Sequence, residues 1–175
     1  MKYSIKTVKV ICITVVCSWI TNINAQSVSI TDLSEVKYIT EKSDTVKIIA
    51  KLSTTSVINQ IPCEKGWIHF DKRFNPVTFK LSEDKVLSNF QYPKGTWIYL
   101  KQEGIVCVFP NETLVQGFKC RGGGGISGVQ TAFYKSGKLK TFFSADEVEL
   151  EGKKCKGGSK KYIELYENGK LKSCN

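Results

Sequence analysis

Beyond the first 25 residues the chain carries five cysteines, Cys63, Cys107, Cys120, Cys155 and Cys174, and their spacing limits what they do. Zinc is held by thiolates clustered as Cys-x-x-Cys pairs, and no such pair occurs, so no metal centre is expected. In an oxidising compartment the default for thiols is the disulfide. Cys120 and Cys155 share one repeated slot and Cys107 and Cys174 another, so stacked units would bring like to like. Alternatively each cysteine pairs with its nearest neighbour, Cys107 with Cys120 and Cys155 with Cys174, and the short closed loops favour this second arrangement. Cys63 is then a buried thiol left over.

His69 is the only histidine. Alternation in Trp67-Ile-His69-Phe70 places it on the same face as Trp67. A Cys-His nucleophilic pair would need Cys63, across a turn, and no third group to orient the imidazole accompanies them. The chain lacks Gly-x-Ser-x-Gly, His-Glu-x-x-His and Gly-x-x-x-x-Gly-Lys-Ser/Thr elements. Its four-glycine run Gly122 to Gly125 lacks the Lys and Ser that grip phosphate and precedes a strand. Acidic turns at Glu83-Asp84, Asn111-Glu112 and Asp146-Glu147, with Glu149, offer too few carboxylates for calcium and read as turn chemistry. No catalytic residue, metal or cofactor is therefore expected, and a small hydrolase built on His69 is the alternative from the enzyme class. Asn111-Glu-Thr113 is a glycosylation sequon, meaningful only in a eukaryotic secretory pathway.

Trp67, Trp97, Tyr99, Tyr134, Tyr162 and Tyr166 recur beside lysines in strand-like segments. Core packing and cross-strand pairing account for most such aromatics. An aromatic stripe flanked by Lys on a repeat sheet also suits a glycan or an anionic protein surface, which makes these six, with His69, the candidate binding residues.

The elements that position them form a degenerate repeat. Cys63-Glu-Lys-Gly66, Tyr92-Pro-Lys-Gly95, Cys120-Arg-Gly-Gly123 and Cys155-Lys-Gly-Gly158 each read Cys or Tyr, two residues, then Gly, with starts 29, 28 and 35 residues apart. Five residues before each start stand Ile58, Leu87, Val115 and Leu150, and thirteen before stand Ala50, Phe79, Cys107 and Phe142. Gly169-Lys-Leu-Lys-Ser-Cys174 repeats Gly137-Lys-Leu-Lys-Thr-Phe142, placing Cys174 in that last slot. Within a unit the apolar residues alternate or run in short β-branched and aromatic stretches, and none sustains a helical period. Ser136-Gly137 and Asn168-Gly169 predict two-residue hairpin turns with positive φ. The fold class is thus all-β, an antiparallel β-hairpin repeat forming an elongated or rolled meander sheet. Residues 57–175 hold four degenerate units and residues 26–56 a partial capping unit, together one globular domain.

At Phe133-Tyr-Lys-Ser-Gly-Lys-Leu-Lys140 and Leu165-Tyr-Glu-Asn-Gly-Lys-Leu-Lys172 the chain resembles variant MORN-type repeats of bacterial proteins, some of them antitoxin-like, over the last 45 or so residues. The resemblance implies antiparallel β-hairpins laid side by side and a binding role without catalysis. It also suggests an antitoxin-like or immunity-like inhibitor of a secreted toxin as a second binding function.

Lys2, Lys6 and Lys9 precede an uncharged apolar run from Val10 to Ile20, too short to cross a bilayer, and Ala25 suits a peptidase cut before Gln26. A signal peptide over residues 1–25 and a secreted or periplasmic mature chain are expected. Removing three lysines takes the formal charge from +10 to 10 − 3 = +7. Lys spread between apolar positions reads as a solvated, edge-protecting surface and not as a nucleic-acid site. The expected function is a non-enzymatic β-repeat module that engages a protein or a cell-envelope polymer through its strand face.

Overall fold

The computed structural model describes residues 4–8, 33–41, 44–158 and 160–174, with the backbone alone for Ser4–Val8, Glu41 and residues 44–46. The apolar run and the cut expected before Gln26 lie outside the described residues, whereas residues 4–8 are described and fall within the segment expected to be removed. Two compact units divide after Phe79. The first holds β1 (Ser4–Val8), β2 (Leu33–Glu41), β3 (Asp44–Leu52), β4 (Ser56–Ile58), β5 (Ile61–Cys63), β6 (Gly66–Phe70) and β7 (Pro76–Lys80), whose last residue falls past the division. The second holds β8 (Lys85–Leu87), β9 (Phe90–Tyr92), β10 (Trp97–Lys101), β11 (Gly104–Val108), β12 (Thr113–Val115), β13 (Phe118–Cys120), β14 (Thr131–Tyr134), β15 (Leu139–Phe142), β16 (Val148–Leu150), β17 (Lys153–Cys155), β18 (Ile163–Leu165) and β19 (Leu171–Cys174). Each unit is an antiparallel meander of its longer strands, in the order β1-β2-β3-β6-β7 and β10-β11-β14-β15-β18-β19. Short hairpins β4-β5, β8-β9, β12-β13 and β16-β17 interrupt the meanders. Among the described residues there is no α-helix, and no helix is long and apolar enough to cross a membrane. The all-β hairpin-meander fold is thus as the residue alternation predicts.

The turns are made otherwise than the sequence suggests. In Tyr134 to Lys138 and in Tyr166 to Lys170 only the glycine of the expected pair is left-handed, Gly137 at φ 81° and Gly169 at φ 85°. The first-named tyrosine's N–H bonds the carbonyl four residues on, 2.8 Å in both, closing a three-residue loop in which the left-handed Gly forms a bulge. The three-residue loop sets Leu139 opposite Phe133 and Leu171 opposite Leu165, and the register shifts one pair further on, between Ala132 and Phe133 and between Glu164 and Leu165. A two-residue turn would have sent both leucines to the other face. Turns with two left-handed residues do occur, at the short hairpins: Asn59-Gln60, Ser88-Asn89, Gln116-Gly117 and Glu151-Gly152. Each pair directly follows one of Ile58, Leu87, Val115 and Leu150.

The repeat columns are the core. Ala50, Phe79, Cys107 and Phe142 are fully buried, as are the tetrad starts Cys63, Tyr92, Cys120 and Cys155. Of the third column, Ile58 and Val115 are fully buried, while Leu87 and Leu150 are half-buried. In the second unit the short hairpins cover one face of the meander. Phe90 stacks on Phe133 with ring centres 5.1 Å apart, Tyr92 meets the same ring edge-on at 5.4 Å, and Phe118 meets Phe142 at 4.9 Å. Every tetrad glycine has positive φ, between 83° and 124°. In the second unit its N–H bonds the carbonyl of the preceding long strand's end: Gly95 to Leu81, Gly123 to Phe109 and Gly158 to Ser144, at 2.8 to 3.0 Å.

Cys155 and Cys174 form the disulfide, with Cα atoms 5.6 Å apart. The expected partner bridge does not form, for Cys107 and Cys120 are free buried thiols, as is Cys63. The reason lies in chain direction. The bridge at Cys155 runs forward, from a tetrad to the strand that follows it, and the residue that follows Cys120 in the same sense is Phe142. The pairing proposed for Cys107 and Cys120 runs backward.

Candidate functional site

With one face of the second unit filled by hairpins, alternation puts the intervening residues on the opposite, open face. Registry across β10, β11, β14, β15 and β18 makes a row of Tyr99, Val106, Ala132, Thr141 and Glu164. Val106, Ala132 and Thr141 are the short members, and they form the floor of a hollow of about 270 Å3 closed by Gln130, Phe143 and Tyr162. The rings of Phe143 and Tyr162 stand 6.3 Å apart at 68°. Gln130 and Phe143 also line an adjoining hollow of about 460 Å3, whose other wall is the glycine loop at Gly123, Gly124 and Ser127 to Val129.

That loop lies on the open face because its glycines permit it. A Cβ on Gly128 would come within 1.9 Å of the Gly123 carbonyl oxygen and 2.7 Å of a Val108 methyl. The Gly123 N–H bonds Phe109 O at 2.8 Å, and a short 3-10 turn spans Gly125–Ser127. The Tyr99 hydroxyl donates to the Ile126 carbonyl, tying β10 to the loop. Burial raises the Tyr99 phenol above its ordinary value, and the nearby Cys107 adds to it.

Two other candidates mark the turn end of this face. Tyr134 donates through its hydroxyl to Leu165 O at 2.9 Å and carries the Lys140 ammonium 5.4 Å from its ring; Tyr166 carries Lys172 at 6.0 Å. Lys172 is also paired with Glu164 at 2.9 Å, which raises the Lys172 pKa. Trp97 stands two residues before Tyr99, opposite Val108. Structure thus joins Tyr162 to the hollow, sets Trp97 and Tyr99 at β10 and commits Tyr134 and Tyr166 to lysine contacts. Sequence reading missed Phe143, Gln130 and the small floor residues. The retrievable signal was the pattern Gln130-Thr-Ala-Phe133, in which burial of Thr131 and Phe133 leaves Gln130 and Ala132 outward.

Trp67 and His69 belong to the first unit. Trp67 is 38% exposed and has two ammonium groups near its ring, Lys37 at 5.2 Å and Lys51 at 5.9 Å, with Lys51 bound to Glu35 at 3.4 Å. His69 sits opposite Ile49 and Thr78, sharing the Trp67 face. Burial, then the Lys47 charge, lowers its pKa to about 4. Burial pushes the Cys63 thiol up to about 12, and its Sγ donates to the Ile61 carbonyl. Burial likewise raises Cys120 to about 12 and Cys107 well above its ordinary value, with Cys120 contributing to the latter.

The acidic turns have structural partners. The Asp84 carboxylate accepts the Lys94 N–H at 2.8 Å, and Glu112 and Asp146 flank Lys119 at 3.4 and 3.6 Å. Among the described residues no group of three His, Cys, Asp or Glu is placed to hold a metal ion. Asn111 is exposed, and its carbonyl accepts the Thr113 hydroxyl at 3.0 Å. No protein-family model, curated protein or solved structure matches the chain.

Proposed function

We propose that the protein is an exported, non-catalytic binding module that takes a protein or cell-envelope polymer on the open strand face of its second unit. The observation that carries this is the pair of adjoining hollows walled by Phe143, Tyr162 and the glycine loop. An open, uncharged concavity with aromatic walls is the ordinary form of a recognition site. Export is supported by the lysines and apolar run that open the sequence, together with the cystine Cys155–Cys174. A Cys63–His69 nucleophilic pair is disfavoured by burial, which raises the thiol and lowers the imidazole. A thiol near 12 is a poor nucleophile at neutral pH.

Thr141→Arg, which fills the floor with a long charged side chain, tests the reading. Mature protein should be retained on immobilised envelope protein or polymer fractions, the Thr141→Arg variant should be lost from them, and Trp67→Ala should behave as the parent. Retention of Thr141→Arg equal to the parent's, or no retention of the parent, would overturn it. Hydrolysis of an envelope substrate that disappears in His69→Gln would establish the catalytic alternative.

A further inference from the structure

We infer that the two adjoining hollows bind consecutive neutral pyranose rings of a saccharide polymer, an assignment that rests on the open face being the binding face.

The argument is one of chemical fit. Among the described residues no Lys, Arg, Asp, Glu or His lines either hollow. An ionic ligand would surrender hydration there without gaining a counter-charge. A purely apolar ligand fails for the opposite reason. It would cover the exposed Gln130 amide and the Thr141 hydroxyl and leave them unpaired. The occupant is therefore uncharged, with an apolar face and a rim of hydroxyl or amide groups. A pyranose has that form: its axial C–H groups lie on one side and its hydroxyls project around the edge.

The geometry suits such a ring. Val106, Ala132 and Thr141 leave a floor with no long side chain, and the Phe143 and Tyr162 rings, 68° apart, present an aromatic face beside it. Aromatic surface against C–H groups is a packing contact that requires no charge. The second hollow continues the first, since Gln130 and Phe143 belong to both. At about 270 and 460 Å3 the pair is large for one ring and fits a chain of at least two, with the Gln130 amide at the junction.

An extended peptide is the rival occupant. Peptides add to sheets through unpaired edge backbone, whereas β11, β14 and β15 are paired on both sides and offer only their side-chain face. A peptide laid here would gain none of the ladder hydrogen bonds that usually hold it.

The experiment is ligand-observed NMR or calorimetry on the mature, oxidised protein, using hexasaccharides of β-1,4-linked glucose, β-1,4-linked N-acetylglucosamine and mannose, with polygalacturonate as the acidic counterpart. Binding of at least one neutral hexasaccharide is expected, unchanged by salt, because no ion pair is formed to be screened. Phe143→Ala and Gln130→Ala should each weaken it by about tenfold. Trp67→Ala should leave it within about twofold. Gln130 is exposed, so its variant tests the site without burdening the core. Retention of the Cys155–Cys174 bridge by intact mass identifies folded variants.

The inference is overturned if no neutral hexasaccharide binds, if only polygalacturonate binds with salt-sensitive affinity, or if Gln130→Ala and Phe143→Ala both bind like the parent. Envelope-protein retention abolished by Thr141→Arg, with no saccharide bound, would remove the sugar and leave the binding face standing.

Discussion

The two units solve the same interior problem and present different exteriors. Ala50 and Phe79 in the first, and Cys107 and Phe142 in the second, occupy one repeat slot and are all fully buried. Outside, the first unit sets Lys37 and Lys51 near the Trp67 ring, while the second sets small residues and Phe143 around an uncharged hollow. A repeat constrains the residues that neighbouring hairpins must cover and leaves the opposite face free to diverge. Recognition is accordingly sought where the units differ, and stability where they agree.

The largest expected effects test the agreement. Phe79→Ala and Phe142→Ala should each cost about 3–5 kcal/mol in urea unfolding. A cost below about 1 kcal/mol for either one would separate the two interiors. Next comes the bridge, which among the described residues only the second unit has. Cys174→Ser should remove about 3 kcal/mol, the loop-closure value for a separation of 19 residues. Mature denatured protein should titrate three free thiols, Cys63, Cys107 and Cys120. In Phe142→Cys the new side chain stands toward Cys120 as Cys174 does toward Cys155. The thiol count should then fall from three to two, and a rise to four would show that the forward geometry is not repeated.

A smaller effect distinguishes the exteriors by pH. A histidine lowered from 6.5 to about 4 binds its proton less readily folded than unfolded. Its contribution is therefore favourable above the unfolded value and is lost as pH falls from about 6.5 to about 4. Proton NMR of the single imidazole should show a midpoint near 4, and a midpoint near 6.5 would place His69 in free solvent. Smallest of all, Lys37→Ala and Lys51→Ala should each change stability by about 0.5–1 kcal/mol, the usual scale of an exposed cation over a ring.

How much of this was legible depends on what each feature is made of. The buried columns were readable because burial selects apolar types, and the tetrads because left-handed backbone selects Gly. The bulges at Gly137 and Gly169 were not, since a two-residue and a three-residue loop use the same letters and differ only in hydrogen bonding. Ser88-Asn89 and Asn59-Gln60 escaped notice because left-handed pairs without Gly carry a weak signal. Leu87 and Leu150 share a column with Ile58 and Val115 yet are only half-buried, which depends on what packs above them and not on their type. The hollow was hidden for a similar reason. Val106, Ala132 and Thr141 are ordinary strand residues, and the void above them arises from their shortness beside Phe143 and Tyr162. Attention to conspicuous aromatics found one wall of the site and overlooked its floor.

The meander has a further consequence, in time. From β2 onward each long strand pairs with the next long strand of its own unit, separated at most by one short hairpin, so closing each contact orders only a modest length of chain. A chain delivered from its N-terminus can settle strand by strand without waiting for distant sequence. Cys174 stands in β19, after every other described strand in chain order. The covalent bond joins β17 to β19 across a separation of 19 residues, so it can close only once the chain between them has been made.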